Sequence, residues 1–156
     1  MNSLEEKLSA LGLSLPEPPE AKGNYLPYVV SGNLVYLSGT LPIADGQVVY
    51  SGKVGQDQTI ETAYEAAKLC VLNALANLKS PSGNFAQLAR IVHVAGYVNG
   101  VDGFAESPKV INGASDLLAE ILGDQGRHSR LAVSVNGLPL NATVETRLIA
   151  EIKGNQ

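Results

Sequence analysis

The sequence has few of the residues on which common catalytic and binding motifs depend. It holds one cysteine, two histidines and no tryptophan among its 156 residues, and aromatic residues make up 5%. One cysteine cannot form an internal disulfide or a thiolate metal cluster, and two isolated histidines do not provide metal-ligand spacing. So few aromatic side chains also leave little with which to stack single-stranded bases. These scarcities argue against a disulfide scaffold, a metal enzyme and a base-stacking platform.

Positive charge is scarce as well. Eleven Lys and Arg residues face fifteen Asp and Glu residues, which gives a formal net charge of -4 and a pI of about 5.1. This balance argues against a protein that grips a phosphate backbone or an anionic lipid, although it permits a small cationic pocket. Hydrophobic residues make up 45% of the chain, which excludes intrinsic disorder and, at this length, fits one domain over residues 1–156.

Long apolar runs are absent. No stretch reaches the length that a membrane-spanning helix needs. The first residues, MNSLEEKLSALG, have neither the basic region nor the apolar region of an export signal. Together with the single cysteine, these features lead us to expect a cytoplasmic protein in a reducing compartment.

The chain begins with a helical pattern. Ser3 and Glu6 have the spacing of a capping box, which predicts a leader helix within residues 1–15. Its apolar face is predicted to consist of Leu4, Leu8 and Leu11. Three prolines within residues 16–19 then end the helix and impose an extended segment. We therefore expect residues 1–19 to form an extension of the main domain.

The remaining periodicities predict the order β-β-β-α-β-α-β-β. The predicted strands cover residues 28–30, 34–37, 48–50, 89–98, 131–135 and 144–152, and the predicted helices cover residues 60–79 and 109–122. Each helix carries one apolar stripe, so we expect an α+β fold, a two-layer sandwich of a mixed β-sheet with both helices on one face. To the opposite sheet face we assign small or mixed residues, which hint at packing on another subunit: Ala132, Ser134, Ile149 and Ala150.

Established catalytic motifs are missing: there is no P-loop, dinucleotide fingerprint or nucleophile elbow. A polar set remains at strand and loop edges: Tyr25, Ser38, Gly39, Asn112, Arg130 and Glu145. The planar fork of an arginine suits a carboxylate, and a nearby carboxylic side chain can position or deprotonate water. Taken alone, the residues favour structural roles, in which Arg130 caps a helix or pairs with Asp124 and Glu145 pairs with Arg147.

Three segments resemble the RidA/YjgF family in order and spacing. They are GNYLPYVVSGNLVYLSGTLP (23–42), VINGASDLL (110–118) and HSRLAVSVNGLPLNATVE (128–145). The resemblance covers about residues 20–152, and the N-terminal segment resembles a longer subgroup of that family, whose members are also named L-PSP endoribonucleases or translation inhibitors. It implies a chorismate-mutase-like fold and a homotrimer with ligand clefts between subunits.

The resemblance also implies a reaction. Better-studied members hydrolyse the imine or enamine products of dehydratases to 2-keto acids and ammonia without a cofactor or a metal. Arg130 matches the arginine that binds the substrate carboxylate, and Glu145 matches the glutamate that handles water. The substrate-binding positions are matched by Tyr25, Ser38, Gly39 and Asn112. Ala132 stands where many members have cysteine, so a thiol role is absent here.

Two alternatives to imine hydrolysis stay open. The first is a chaperone-like or binding protein that holds a small carboxylate metabolite without turnover. The second is the endoribonuclease or translation inhibitor of the family's older name, which the acidic composition disfavours. No membrane partner is expected.

Overall fold

A mixed β-sheet covered by helices on one face forms the body of the computed structural model, which describes residues 3–21 and 23–154. Within those residues the helices are α1 (Leu4–Ala10), α2 (Ile60–Leu78) and α3 (Ser107–Leu122). The sheet contains β1 (Tyr28–Ser31), β2 (Leu34–Leu37), β5 (Leu88–Asn99), β6 (Ser129–Val135) and β7 (Val144–Ile152). Two short strands, β3 (Ile43–Ala44) and β4 (Gln47–Val48), pair with each other outside it.

The strand order across the sheet is β1-β2-β7-β5-β6. Neighbouring strands are antiparallel except β5 and β6, which are parallel and are connected through α3. A parallel pair needs such a crossover, because its second strand must start at the same end of the sheet as the first. As a result β6 is an edge strand with α3 lying over it.

The α+β sandwich with helices on one face is confirmed. The apolar stripe predicted for α3 is buried along its whole length: Val110, Ala114, Leu117, Leu118 and Ile121. Helix α3 ends where Gly123 takes a φ of 60°, a left-handed conformation that glycine adopts without strain. None of the helices in the described residues is long and apolar enough to cross a membrane.

Some local predictions for the strands were wrong. The strand expected over residues 48–50 is only the end of the β3–β4 hairpin, whose turn is Asp45-Gly46. Alternation along residues 89–98 predicts Val92 on the same side of the strand as Val94, but the pairing of β5 with β7 shifts between Ile91 and His93. This bulge places one extra residue on β5, so Ile91 joins Val94 in the core instead.

The prediction for the outer sheet face was also partly wrong. Ala150 is fully buried under the helices, and Ala132 packs against the same core. Since Ser134 alternates in step with Ala132, it also belongs to the helix side, whereas Ile149 lies on the outer face as expected. The outer face carries exposed apolar side chains instead, with relative accessibilities of 53% for Val29, 40% for Tyr36 and 46% for Leu131.

The leader helix packs into the main apolar core. Leu4 and Leu8 are buried in the main apolar cluster, and Lys79 at the end of α2 forms an ion pair with Glu5 at 2.6 Å. The predicted capping box forms at the start of α1. Leu11 is exposed because α1 ends at Ala10, which takes Leu11 off the helical face. Met1 and Asn2 of the predicted 1–15 segment lie outside the described residues.

A glycine allows α3 to pack closely against α2. A Cβ atom on Gly113 would collide with the backbone carbonyl oxygen of Tyr64. One turn further along, the Tyr64 hydroxyl donates a hydrogen bond to Asp116 at 2.7 Å, and this bond raises the pKa of Tyr64 to about 12. These contacts fix the position of α3 over the sheet and therefore of the polar side chains on its outer side.

Candidate functional site

The topology places the six predicted site residues in two separate groups. Arg130 on β6 meets Asn112 on α3. Glu145 on β7 lies beside the turn that follows β2, which contains Ser38 and Gly39. Tyr25, just before β1, borders the same cavity as Ser38 and Gly39.

In the first group, α3 holds the guanidinium of Arg130. Its Nη1 atom donates hydrogen bonds to Asn112 Oδ1 at 2.8 Å and to Ser115 Oγ at 3.2 Å. Residues 112 and 115 are three apart on the helix, so their side chains project from the same face. Among residues 3–21 and 23–154, no partner occupies the Nε and Nη2 donors, and Arg130 is exposed. The two hydrogen bonds at Nη1 therefore orient the Arg130 guanidinium, and its Nε and Nη2 side is open to an anion.

The arginine contact continues through Ser115 to His128. Ser115 Oγ lies 2.9 Å from Nε2 of His128, and Nδ1 of the same ring lies 2.6 Å from the carbonyl oxygen of Gly126. Burial lowers the pKa of His128, and the nearby Arg130 adds to that effect. These groups border an open depression of about 420 Å³ next to Arg130.

Sequence reasoning missed the roles of Ser115 and His128. Neither is among the site residues predicted from the sequence, in which His128 is only one of two isolated histidines. The available signal was the spacing of Ser115 from Asn112, which predicts a shared helix face. Nothing in one sequence indicates, however, that His128 turns toward that face.

Arg130 and Glu145 do not form the ion pairs that the structural alternatives predict, with Asp124 and Arg147 respectively. Asp124 pairs with Arg127, at 3.6 Å between Oδ1 and Nε, rather than with Arg130. In the described part of the chain, neither Arg147 nor any other cation forms an ion pair with Glu145. Both predicted site residues are therefore available for another partner.

In the second group, the Glu145 carboxylate occupies the space beside Gly39. A Cβ atom on Gly39 would collide with Glu145 Oε1 and would lie 3.2 Å from Cδ. Any larger residue at position 39 would therefore displace the carboxylate. Glu145 is half-buried on the outer sheet face, and burial raises its pKa. A carboxylate with a raised pKa is a better proton acceptor than an ordinary glutamate.

In this group, Ser38 has mainly a structural role, because it is hydrogen-bonded to the segment before β1. Its hydroxyl donates to the carbonyl oxygen of Leu26 at 2.6 Å, and its backbone NH donates to Pro27 at 2.9 Å. These bonds hold the segment that carries Tyr25 beside a cavity of about 80 Å³. The cavity wall is largely apolar and includes Leu41, Ile43, Leu140 and the lead-in residues Pro19 and Ala21.

One chain does not bring Arg130 and Glu145 together. Arg130 points to the helix side of β6, whereas Glu145 alternates with the buried Val144 and Thr146 and so points to the outer side of β7. Strand β5 lies between β6 and β7, which separates the two strands by about 10 Å. A ligand of a few carbon atoms cannot contact both side chains of the same chain. In the described residues no cluster of three or more His, Cys, Asp or Glu side chains could hold a metal ion.

Comparison with known proteins gives consistent matches along the chain. Residues 5–152 match the family described as "YjgF/chorismate mutase-like, putative endoribonuclease". Protein TCP17 of Trypanosoma cruzi is 35% identical over 146 residues, which are 93% of this chain and 91% of that protein.

Two crystal structures are also similar over nearly their full length. One, from Shewanella oneidensis and titled a putative endoribonuclease, is 41% identical with a TM-score of 0.92 and covers 96% of this chain and 99% of its own. The other, Atu1372 of Agrobacterium tumefaciens, is titled as a protein of unknown function. It is 42% identical with a TM-score of 0.88 and covers 96% of this chain and 91% of its own. With this fold, these matches and the motifs around Arg130 and Glu145, the chain belongs to the YjgF/chorismate mutase-like family, to which RidA proteins also belong.

Proposed function

We propose that the protein hydrolyses small 2-imino or enamine acids to 2-keto acids and ammonia, in clefts assembled from two copies of the chain. The observation that carries the proposal is the Arg130 guanidinium, which is oriented by two acceptors on α3 and open on its other side. Such a fork suits a bidentate carboxylate. The resemblance of the segments around Arg130 and Glu145 to the imine-hydrolysing members supports the same reaction class.

The reaction needs only positioning and proton transfer. Arg130 holds the carboxylate, and Glu145 of a neighbouring copy accepts a proton from water as the water oxygen bonds to C2 of the protonated imine. The resulting carbinolamine takes that proton onto nitrogen, and the C2–N bond breaks. As ammonia leaves and the C2 carbonyl forms, Glu145 accepts the remaining hydroxyl proton and passes it to the departing ammonia, which is released as ammonium. Orientation together with one general base supplies several powers of ten in rate without a metal or a covalent nucleophile.

We propose a homotrimer, with the outer sheet faces of its subunits packed against each other. A sheet with helices on one face only leaves its second face to be covered. Here that face exposes Val29, Tyr36 and Leu131 and also carries Glu145. Because Arg130 lies on the helix side of the edge strand β6, the cleft we propose forms where the β6 edge of one copy meets the outer face of the next copy beside its Glu145.

The assembly makes a prediction at Leu131. Replacing Leu131 with Glu places a charge on the outer sheet face, and we expect the trimer to dissociate and activity to be lost, because burying an unpaired charge costs several kcal/mol. Light scattering after size exclusion at micromolar concentration measures the mass. Val49→Glu, at a comparably exposed apolar residue next to the β3–β4 hairpin, is the matched control and should remain trimeric. A wild-type monomer, or an unchanged mass for the Leu131 variant, contradicts this assembly.

A coupled assay tests the reaction directly. Threonine dehydratase generates a 2-imino acid in situ, and 2-keto acid formation is followed at high pH and low buffer concentration, where spontaneous hydrolysis is slow. We expect the protein to accelerate the appearance of the keto acid. Tight binding of the keto acid without acceleration would instead identify a binding protein.

Ribonuclease activity is the competing function, since the description of the family and the name of the similar Shewanella protein both include it. The net charge of -4 and the small number of aromatic residues supply little for gripping RNA. RNA cleavage that depends on salt and disappears in an Arg130→Ala variant would support that function over imine hydrolysis.

A further inference from the structure

We propose that His128, acting through Ser115, is a positioning residue for the Arg130 guanidinium, and that protonation of the imidazole removes this positioning. The catalytic consequence rests on the proposed function, whereas the contacts do not. Ser115 Oγ is 2.9 Å from His128 Nε2 and 3.2 Å from Arg130 Nη1, so a single hydroxyl joins the two side chains.

The direction of each hydrogen bond follows from the groups involved. The Gly126 carbonyl, 2.6 Å from Nδ1, can only accept, so Nδ1 carries a proton. In the neutral ring Nε2 is then an acceptor and takes the hydroxyl proton of Ser115. The lone pairs of Ser115 Oγ are thereby left to accept from Arg130. In this series of hydrogen bonds, from Arg130 through Ser115 and His128 to Gly126, each donor has one acceptor. The guanidinium is held by both Ser115 and Asn112.

Protonation reverses the bond between His128 and Ser115. Nε2 becomes a donor, the Ser115 oxygen must accept from two cations, and its own proton loses its acceptor. The charged or titratable groups around His128 are Asp116 on α3, Arg127 beside it in sequence, Arg130 on β6 and His93 on β5. Two of these, Arg130 and His93, oppose a positive charge on His128.

The sign of the pH effect follows from these surroundings. Burial, with smaller effects of Arg130 and His93, lowers the pKa of His128 below its ordinary value of 6.5, although the hydrogen bond to Gly126 partly opposes this. The ring is therefore neutral at pH 7 and becomes charged only under more acidic conditions. Carboxylate binding by Arg130 is therefore intact at neutral pH and weakens as pH falls below 6.5. Because Arg130 contacts the carboxylate before and during reaction, the loss appears mainly in KM.

Titration of carboxylate binding tests the proposal, with 2-oxobutanoate as the probe. For the wild type, we expect Kd to rise as pH falls from about 7.5 to 5.5 and to approach about a tenfold increase once His128 is fully protonated, the effect of one hydrogen bond to a charged group. His128→Gln keeps an acceptor near Nε2 but cannot titrate, so its Kd should stay flat over that range. Ser115→Ala should bind about tenfold more weakly at pH 7.5, also without the pH dependence. His93→Gln leaves His128 able to titrate, so its Kd should still rise as pH falls, with the midpoint moved to higher pH because one group that opposes a charge on His128 is removed.

A second measurement separates this proposal from the proposed function. Nitrogen-15 NMR of the full chain should show His128 neutral at pH 7 with the proton on Nδ1, and the Arg130 side-chain resonances should shift as His128 titrates. The Nε2–H tautomer at pH 7, or unchanged Arg130 resonances through the titration, overturns the positioning role. So does a His128→Gln variant whose Kd keeps the wild-type pH dependence. If 2-oxobutanoate binds to none of the proteins, the proposed function fails, and the NMR result alone decides the role of His128.

Discussion

Replacing Arg130 with alanine will lower kcat/KM for imine hydrolysis by about 100-fold, because a charge-assisted contact to a carboxylate contributes roughly 3 kcal/mol. The structure holds this guanidinium on Asn112 and Ser115 at 2.8 and 3.2 Å, so the effect should fall on substrate binding. Arg130→Lys should recover only part of the loss, since an ammonium cannot bind both oxygens in one plane. Single-turnover hydrolysis of dehydratase-generated imine measures both effects.

Arg127 offers the matched control for this experiment. It lies three residues before Arg130 and borders the same depression, but it is exposed and pairs with Asp124 instead. Arg127→Ala should keep the wild-type kcat/KM within about twofold, as expected for a weak surface ion pair. Full activity in Arg130→Ala would refute the role assigned to Arg130.

Replacing Glu145 with glutamine will lower kcat by about 100- to 10,000-fold, the range attributed to a lost general base, and leave 2-oxobutanoate binding nearly unchanged. In the wild type, kcat should fall as pH drops through a pKa above 4.5, since burial raises the pKa of Glu145 and only the ionised form accepts a proton. This fall at low pH should be seen in kcat of the wild type. The residual kcat of the Glu145→Gln variant should not show it.

The same substitution should stabilise the fold. Because the pKa of Glu145 is raised in the folded state, the folded chain binds more protons than the unfolded chain just above pH 4.5, and stability falls as pH rises through that window. A neutral glutamine removes the cost of burying the charge, so its melting temperature at pH 7 should exceed that of the wild type. An active Glu145→Gln enzyme, or one that melts at a lower temperature, would count against a half-buried general base.

Mixing the two inactive variants tests where the halves of the cleft come from. If each cleft takes Arg130 from one copy and Glu145 from another, refolding equal amounts of Arg130→Ala and Glu145→Gln restores about a quarter of the wild-type activity, because the two subunits are drawn independently. If both residues came from one chain, every cleft would carry a substitution and no activity would return.

Much of the fold could be predicted because local signals agree with tertiary packing. The capping pairs at Ser3 and Thr59, the turn at Asp45-Gly46 and the stop at Gly123 determine where elements begin and end. The apolar stripe of α3 identifies its buried face directly. What one sequence cannot give is the bulge beside Val92, because an extra residue in one strand is visible only against its partner.

The faces of β6 were predicted wrongly for a related reason. Leu131 and Val133 look like core residues by alternation, yet they point away from the helices, and Ala132 points toward them. Apolar residues alternate with the same period of two whether their strand face packs in the core or against another protein. Likewise the residues of the site could be named from the resemblance, but not that Arg130 and Glu145 lie on opposite sides of the sheet, since this depends on the register between strands.

The contact between Gly39 and the Glu145 carboxylate has a consequence for testing the acid by substitution. Because the acid occupies the space that a Cβ atom at position 39 would need, a substitution at either position changes the surroundings of the other. A side chain at position 39 would move the Glu145 carboxylate from its half-buried place without removing it. Gly39→Ala therefore separates the effect of where the acid lies from the effect of whether it is there.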